Sequence, residues 1–201
     1  MGWNFYNASG ELQINDGGVQ AASAVFTGNV DLGSNLLVGN AGSTGIAISA
    51  NGEVTMAAQP ATLHTMGTTV DNVSGDGTTY TVIFDTEEYD QNADSDGTTF
   101  TAPVTGRYIV NAQLVCVGIT AVGANCQMIF DASNRDFYSV RHRWGVFHTA
   151  EAGGVGMSCD MDMDANDTVT VQLQAFAEGS DIIDVSGTSI EYTYVSIRLA
   201  V

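Results

Sequence analysis

From Thr78 to its end, the chain is a succession of strand-sized runs with turn residues between them. No other feature limits the fold so tightly. The runs are Tyr80–Phe84, Thr98–Ala102, Arg107–Val117, Cys126–Phe130, Phe137–Arg141, Gly156–Met163, Thr168–Phe176 and Ser189–Leu199. No window longer than about ten residues repeats its apolar positions at helical spacing. The nearest helix candidate is the short stretch Gln20–Val25. With 23 glycines and only 2 prolines, the rest of the vocabulary is Thr, Val, Asn and Asp, which suits strands and tight turns. The pattern predicts an all-β chain whose C-terminal part is a sandwich or jelly roll.

Residues 1–60 read differently. Glycines at 28, 33, 39, 42, 45 and 52 punctuate short apolar pulses. A weak repeat pairs Asn7-Ala8-Ser9-Gly10-Glu11-Leu12-Gln13-Ile14 with Ser49-Ala50-Asn51-Gly52-Glu53-Val54-Thr55-Met56. Each copy predicts a tight turn followed by a strand. Strands this short cannot bury a core alone. Their apolar sides must pack on the C-terminal domain or wind together with identical chains, and the second arrangement is preferred. The division expected is a glycine-rich β-repeat stalk at 1–60, a linker at 61–77 and a head at 78–201. The opening Gly2-Trp3-Asn4-Phe5-Tyr6 concentrates aromatics, so Trp3, Phe5 and Tyr6 are expected to anchor the chain in a larger assembly.

The head carries an ordered set of motifs. Gly97-Thr98-Thr99-Phe100-Thr101-Ala102-Pro103-Val104-Thr105-Gly106-Arg107-Tyr108-Ile109-Val110 resembles the signature of the complement component 1q globular head. Phe84 resembles that family's first core strand. Met161-Asp162-Met163-Asp164-Ala165-Asn166-Asp167-Thr168-Val169 resembles its alternating strand, turn and next strand, with Asn166 where a glycine is usual. The resemblance spans residues 80–201. It implies a ten-stranded jelly roll related to tumour necrosis factor and a tight homotrimer. A β-repeat stalk under such a head resembles bacteriophage tail fibres, head fibres and capsid decoration proteins. The implied function is that of a structural virion appendage with an outward head for host-surface recognition. The alternative is a decoration, cement or head-fibre protein with a purely structural role. The implied location is the virion surface, after synthesis in the host cytoplasm.

Charge narrows the partners. Asp and Glu number 23 against 5 basic residues, all arginine, for a net −18. Binding nucleic acid relies on cations that neutralise phosphates, so it is not expected. No apolar run reaches the length of a membrane helix, and no basic segment leads into an apolar stretch as in a secretory signal. A homotrimer would carry 3 × (−18) = −54. The other partners expected are virion proteins at the N-terminus and a host-surface glycan or protein.

Few residues offer chemistry. His64, His142 and His148 lack metal-ligand spacing, and no Gly-x-Ser-x-Gly occurs. Neither an enzyme nor a required cofactor is expected. Cys116, Cys126 and Cys159 fall in strand-like text and read as small buried side chains. Asp85, Glu87, Glu88, Asp90, Asp94 and Asp96 form an acidic run, read either as a solvated loop or as an oxygen-rich calcium site. Asp160, Asp162, Asp164 and Asp167 imitate part of a calcium loop, but strand alternation explains them with Met161 and Met163 inward. Arg135, Arg141, His142, Arg143, Trp144 and His148 gather most of the positive charge. They read equally as a receptor contact or as intersubunit ion pairs.

Overall fold

The computed structural model describes residues 37–38, 44–48, 51–143, 151–188 and 192–200. The expected anchor Trp3, Phe5 and Tyr6, the first repeat copy and the helix candidate Gln20–Val25 lie outside the described residues. So do Trp144 and His148 of the basic cluster.

Three short strands come first: β1 (Leu37–Val38), β2 (Thr44–Ile48) and β3 (Val54–Met56). They form an antiparallel sheet in that order. The second repeat copy behaves as its text predicts. Gly52 turns the chain at φ +85°, and β3 follows at once.

The rest is a two-sheet sandwich. Its strands are β4 (Ala61–Thr65), β5 (Val70–Ser74), β6 (Thr79–Thr81), β7 (Thr86–Asp90), β8 (Thr99–Thr101), β9 (Gly106–Ile119) and β10 (Asn125–Ala132). They continue with β11 (Asp136–Tyr138), β12 (His142–Arg143), β13 (Glu151–Met163), β14 (Thr168–Phe176), β15 (Ile183–Val185) and β16 (Tyr194–Leu199). The larger sheet runs β5-β15-β9-β16-β4-β7, with β13 also paired to β9. The smaller runs β11-β10-β14-β6, with β12 also on β10 and β8 also on β14. The sheets hold 7 + 6 = 13 strands among the described residues. That exceeds the ten expected because neighbouring pieces share one edge. β6 and β8 both line β14, and β11 and β12 both line β10.

Period-two alternation builds the core. On β9 it buries Tyr108, Val110, Ala112, Leu114 and Cys116. On β14 it buries Val169, Val171, Leu173 and Ala175. Val195 and Ile197 of β16 and Cys126, Met128 and Phe130 of β10 join them in one cluster. Each large side chain withdrawn from water there contributes about 1.5–3 kcal/mol. Met161 and Met163 point inward and Asp160 and Asp162 outward, as alternation requires. Cys116 and Cys126 are buried and Cys159 half-buried, all as free thiols. Burial pushes the Cys116 thiol up to about 12, so it is inert at neutral pH.

Two expectations need correction. Residues 61–77 are not a linker, because they supply β4 and β5 of the larger sheet. β4 pairs with β16 over five residues and hides Thr62, His64 and Thr65. The acidic run is not simply a loop either, since Thr86–Asp90 is β7, paired with β4. It is an edge strand, and carboxylates along an edge discourage other chains from pairing there.

Candidate functional site

The motif that carries the family resemblance performs structural work. Gly97 sits at φ +82°, and a Cβ there would collide with the Phe84 carbonyl oxygen. The Phe84 N–H donates to the Gly97 carbonyl at 2.9 Å, closing the loop between them. Phe100 and Tyr108 meet edge to face with ring centroids 5.5 Å apart. The Tyr108 hydroxyl donates to the Val104 carbonyl at 2.7 Å, which ties the Pro103–Gly106 turn to β9. Asn166 takes φ 76°, the left-handed conformation that glycine usually supplies and asparagine tolerates. These residues hold the sandwich together, and Thr99, Thr101, Ala102, Pro103 and Asn166 line an open concavity of about 570 Å³ with Asp94 and Asp96.

The basic cluster is not one patch. Arg143 pairs with Asn125 at one end of β10, whereas Arg135 lies in the hairpin beyond Asp131 at the other. Six residues of strand separate those ends, about 20 Å at 3.4 Å per residue. Arg141 and Arg143 remain together as exposed residues. The Arg141 guanidinium lies 4.0 Å over the Phe176 ring, and its Nε donates to Gln127 Oε1 at 3.3 Å. Nearby, Glu178 caps the β9–β10 loop, accepting from Thr120 N and Oγ1 and from Ala121 N. The loop it steadies carries Val122, 74% exposed, and Gly123, which abuts the Arg143 guanidinium. Of His142 the backbone is placed, in register with Cys126. Phe176 was not legible as the partner of Arg141, because only the register of β10 with β14 brings it there.

The six carboxylates of the acidic run do not converge. Among the described residues no three His, Cys, Asp or Glu side chains come together to hold a metal. Instead Asp90 and Asp96 close local turns, and Asp85 and Glu88 reach back to the β4 region. Asp85 accepts from Gly67 N at 2.6 Å, and Asp90 from Asp94 N and Ser95 N at 3.1 and 2.8 Å. Asp96 accepts from Thr99 N and Thr98 N at 2.7 and 2.9 Å. Glu88 accepts from Thr65 Oγ1 at 3.2 Å, and Glu87 is exposed on β7. Asp167 plays the same part in its turn, held by Asp164 N, Ser133 Oγ and Asn134 Nδ2.

These bonds set the acid response. The Thr99 and Thr98 amides hold Asp96 below its ordinary 3.8, and the Asp164 amide, Ser133 and Asn134 do the same for Asp167. Such carboxylates stabilise the fold above their unfolded pKa, and that gain is lost as pH falls through their lowered folded values. Asp94 has the opposite sign, since burial raises it and protonation relieves it. Replacing both Asp96 and Asp167 by asparagine should therefore lower the melting temperature at pH 7. The gap from the unaltered protein should shrink by pH 3. An equal gap at both values would mean that the carboxylate charge plays no part.

The two outer faces differ. On the smaller sheet they are polar and mutually bonded. Gln127 Nε2 donates to Gln174 Oε1 at 2.7 Å, Gln172 Nε2 to Asp131 at 2.6 Å, and Gln174 Nε2 to the Gly77 carbonyl at 2.7 Å. On the larger sheet, register aligns Tyr89, Leu63, Ser196, Asn111 and Ser158 across five strands. That row is uncharged in a chain of −18. A concavity of about 330 Å³ beside it is lined by Leu63, Thr65, Glu88 and Tyr194. Beyond Ser158, β13 is an edge. Among the described residues its 13 residues pair with β9 alone, and they include Gly153, Gly154 and Gly156. Next to it, Phe137, Tyr138, Val140, Met157 and Cys159 line an open groove of about 500 Å³. Val140 in that groove is 82% exposed.

No family model matches the chain, and no curated protein matches it. Solved structures do. The globular domain of zebrafish complement 1qA protein is 15% identical, with 71% of this chain and 98% of that one covered at a TM-score of 0.48. Murine APRIL is 10% identical, with 71% and 99% covered at 0.49. The Eiger TNF of S. frugiperda is 10% identical, with 71% and 93% covered at 0.50. The likeness to Eiger TNF, with the two antiparallel sheets described above, shows that this chain has a TNF-like jelly-roll fold.

Proposed function

We propose that the chain is a non-enzymatic binding protein that works as a homotrimer. Its jelly-roll head would be displayed outward from a virion appendage for host-surface recognition. The observation that carries the assembly is β13. A 13-residue, glycine-bearing edge strand beside an exposed apolar groove is an invitation to pair with another chain. Asp160 and Asp162 blunt the C-terminal end of that edge, whereas Gly153, Gly154 and Gly156 carry no side chain that would. Covering it with the uncharged row of a second copy's larger sheet would bury Leu63, Tyr89 and Tyr194 as well. The bonded glutamine ladder of the smaller sheet would stay in water. The virion setting rests on the sequence: the glycine-rich stalk at 1–60 and the anchor at Trp3, Phe5 and Tyr6. The recognition role rests on Arg141 and Arg143, an exposed positive pair on an otherwise acidic molecule.

One observation favours the purely structural reading, that of a capsid decoration protein. Arg141 is already committed to Phe176 and Gln127 within its own chain. Alanine at both Arg141 and Arg143 separates the readings. Recognition predicts that host-cell adsorption falls about 30-fold, as for loss of a residue worth about 2 kcal/mol at an interface. The mass of the assembly should not change. Unchanged adsorption would transfer the function to decoration of the particle.

A further inference from the structure

Arg141 is exposed, yet it is held in one place. Its guanidinium lies 4.0 Å over the Phe176 ring, and its Nε donates to Gln127 Oε1 at 3.3 Å. Gln127 Nε2 donates in turn to Gln174 Oε1 at 2.7 Å, and Gln174 Nε2 to the Gly77 carbonyl at 2.7 Å. The relay runs in one direction across β10 and β14 and ends on backbone. Bonds in such a chain polarise and strengthen one another. They occupy the Nε and one face of the guanidinium and leave its Nη groups to solvent. Fixing a long exposed side chain costs rotamer entropy, and bracing of this kind is what keeps a binding group on its aim.

Arg143 comes to the same place. Register sets Arg143 opposite Asn125 and Asn125 opposite Phe176, in one row across three strands of the smaller sheet. The next residue of β10, Cys126, is buried, so that row lies on the outer face. Among the described residues no carboxylate pairs with Arg141 or Arg143, in a chain with 23 acidic residues. Glu178, two residues beyond Phe176, accepts with both oxygens from Thr120 and Ala121 instead. Two unpaired guanidiniums about one row present forked donors, and a carboxylate matches a fork with two parallel bonds.

Charge selects the kind of carboxylate. A net −18 repels a polyanion such as a heavily sulfated chain or a run of acidic residues. A single charge among neutral groups meets the arginines with far less of that repulsion. The side-chain amides of Asn125, Gln127 and Gln174 stand beside them, and amides complement hydroxyl groups. We infer that Arg141 and Arg143 bind the carboxylate of an acidic sugar carried on an otherwise neutral glycan. The inference rests on the recognition reading above and names its ligand.

Binding of the full chain to sugar-coated sensor surfaces tests it. The probes are an immobilised β-glucuronide, its methyl ester, a β-glucoside, a glucose 6-sulfate and an aspartate-containing peptide. An acidic protein is repelled by an acidic surface, so retention on the glucuronide requires a site. The glucuronide should be bound at least about tenfold more tightly than the ester or the glucoside, as for one charge-assisted bond. Arg141→Gln should remove that preference, and so should Arg141→Lys, which keeps the charge without the fork. Arg107→Gln, on exposed β9, changes the net charge equally and should leave the preference intact. Equal binding of acid and ester, no binding to the glucuronide, or an equal loss in Arg107→Gln would overturn the inference. Tighter binding to the sulfate or to the peptide would overturn it in favour of that class. The recognition reading is judged apart, by adsorption of the Arg141 and Arg143 alanine pair. Adsorption lost in that pair, with no glucuronide binding in the unaltered chain, would discard the ligand and keep the reading.

Discussion

Replacing Tyr108 by alanine is expected to cost about 3–5 kcal/mol, the range for a large aromatic removed from a packed core. That is a large part of the 5–15 kcal/mol by which a domain of this kind is stable. The residue is fully buried on β9, its ring meets Phe100 edge to face, and its hydroxyl holds the Val104 carbonyl. With a urea slope of about 2 kcal/mol per molar, the unfolding midpoint should drop by about 2 M at fixed protein concentration. Tyr108→Phe removes only the hydroxyl bond and should cost about 1 kcal/mol. A small effect of the alanine change would mean that Phe100 and its neighbours close over the gap. The signature stretch would then not be the keystone of the sandwich.

The second large effect is on assembly. Gly156 faces outward on β13, and a Cβ there would meet only the Ala112 carbonyl oxygen, at an ordinary 3.5 Å. Gly156→Arg is therefore compatible with the fold of one chain. In the trimer it would place an unpaired guanidinium within each interface, at about 2–5 kcal/mol apiece. The expected result is a monomer with unaltered strand content. Gln172→Arg, on the polar face beside Asp131, should leave the assembly intact. If Gly156→Arg remains trimeric, β13 is not at the interface.

Much of the fold was legible because alternation is a local property. β9, β13 and β14 announce their phase in sequence: Met161 and Met163 against Asp160 and Asp162, or Val169, Val171 and Leu173 against threonine and glutamine. The stretch Gly97–Val110 could be read only as a resemblance, and it is the fold that turns the chain at Gly97 and brings Phe100 against Tyr108. β4 could not be read from its text. It buries Thr62, His64 and Thr65, so hydropathy sees little there, and its strand character comes from pairing with β16. β7 shows the same limit, because four of its five residues are exposed and its charges resemble a loop. The site was less legible than the fold. Arg135 and Arg143 are eight residues apart in sequence, yet β10 holds them at opposite ends. Conversely, Arg141 and Phe176 are far apart in sequence and meet through the pairing of β10 with β14. The acidic run was misleading for a related reason. Its carboxylates are spent on neighbouring amides rather than gathered around a common point.

Among the described residues β13 pairs with β9 alone, and the proposed trimer would cover that edge. The −18 charge opposes association at low ionic strength, and screening within about 8 Å at 0.15 M salt relieves it. The most direct measurement is therefore the mass of the full chain by size exclusion with light scattering, at micromolar concentration in 0.15 M salt. The expected mass is 3 × 21.0 = 63 kDa. A single species of 21.0 kDa would contradict it.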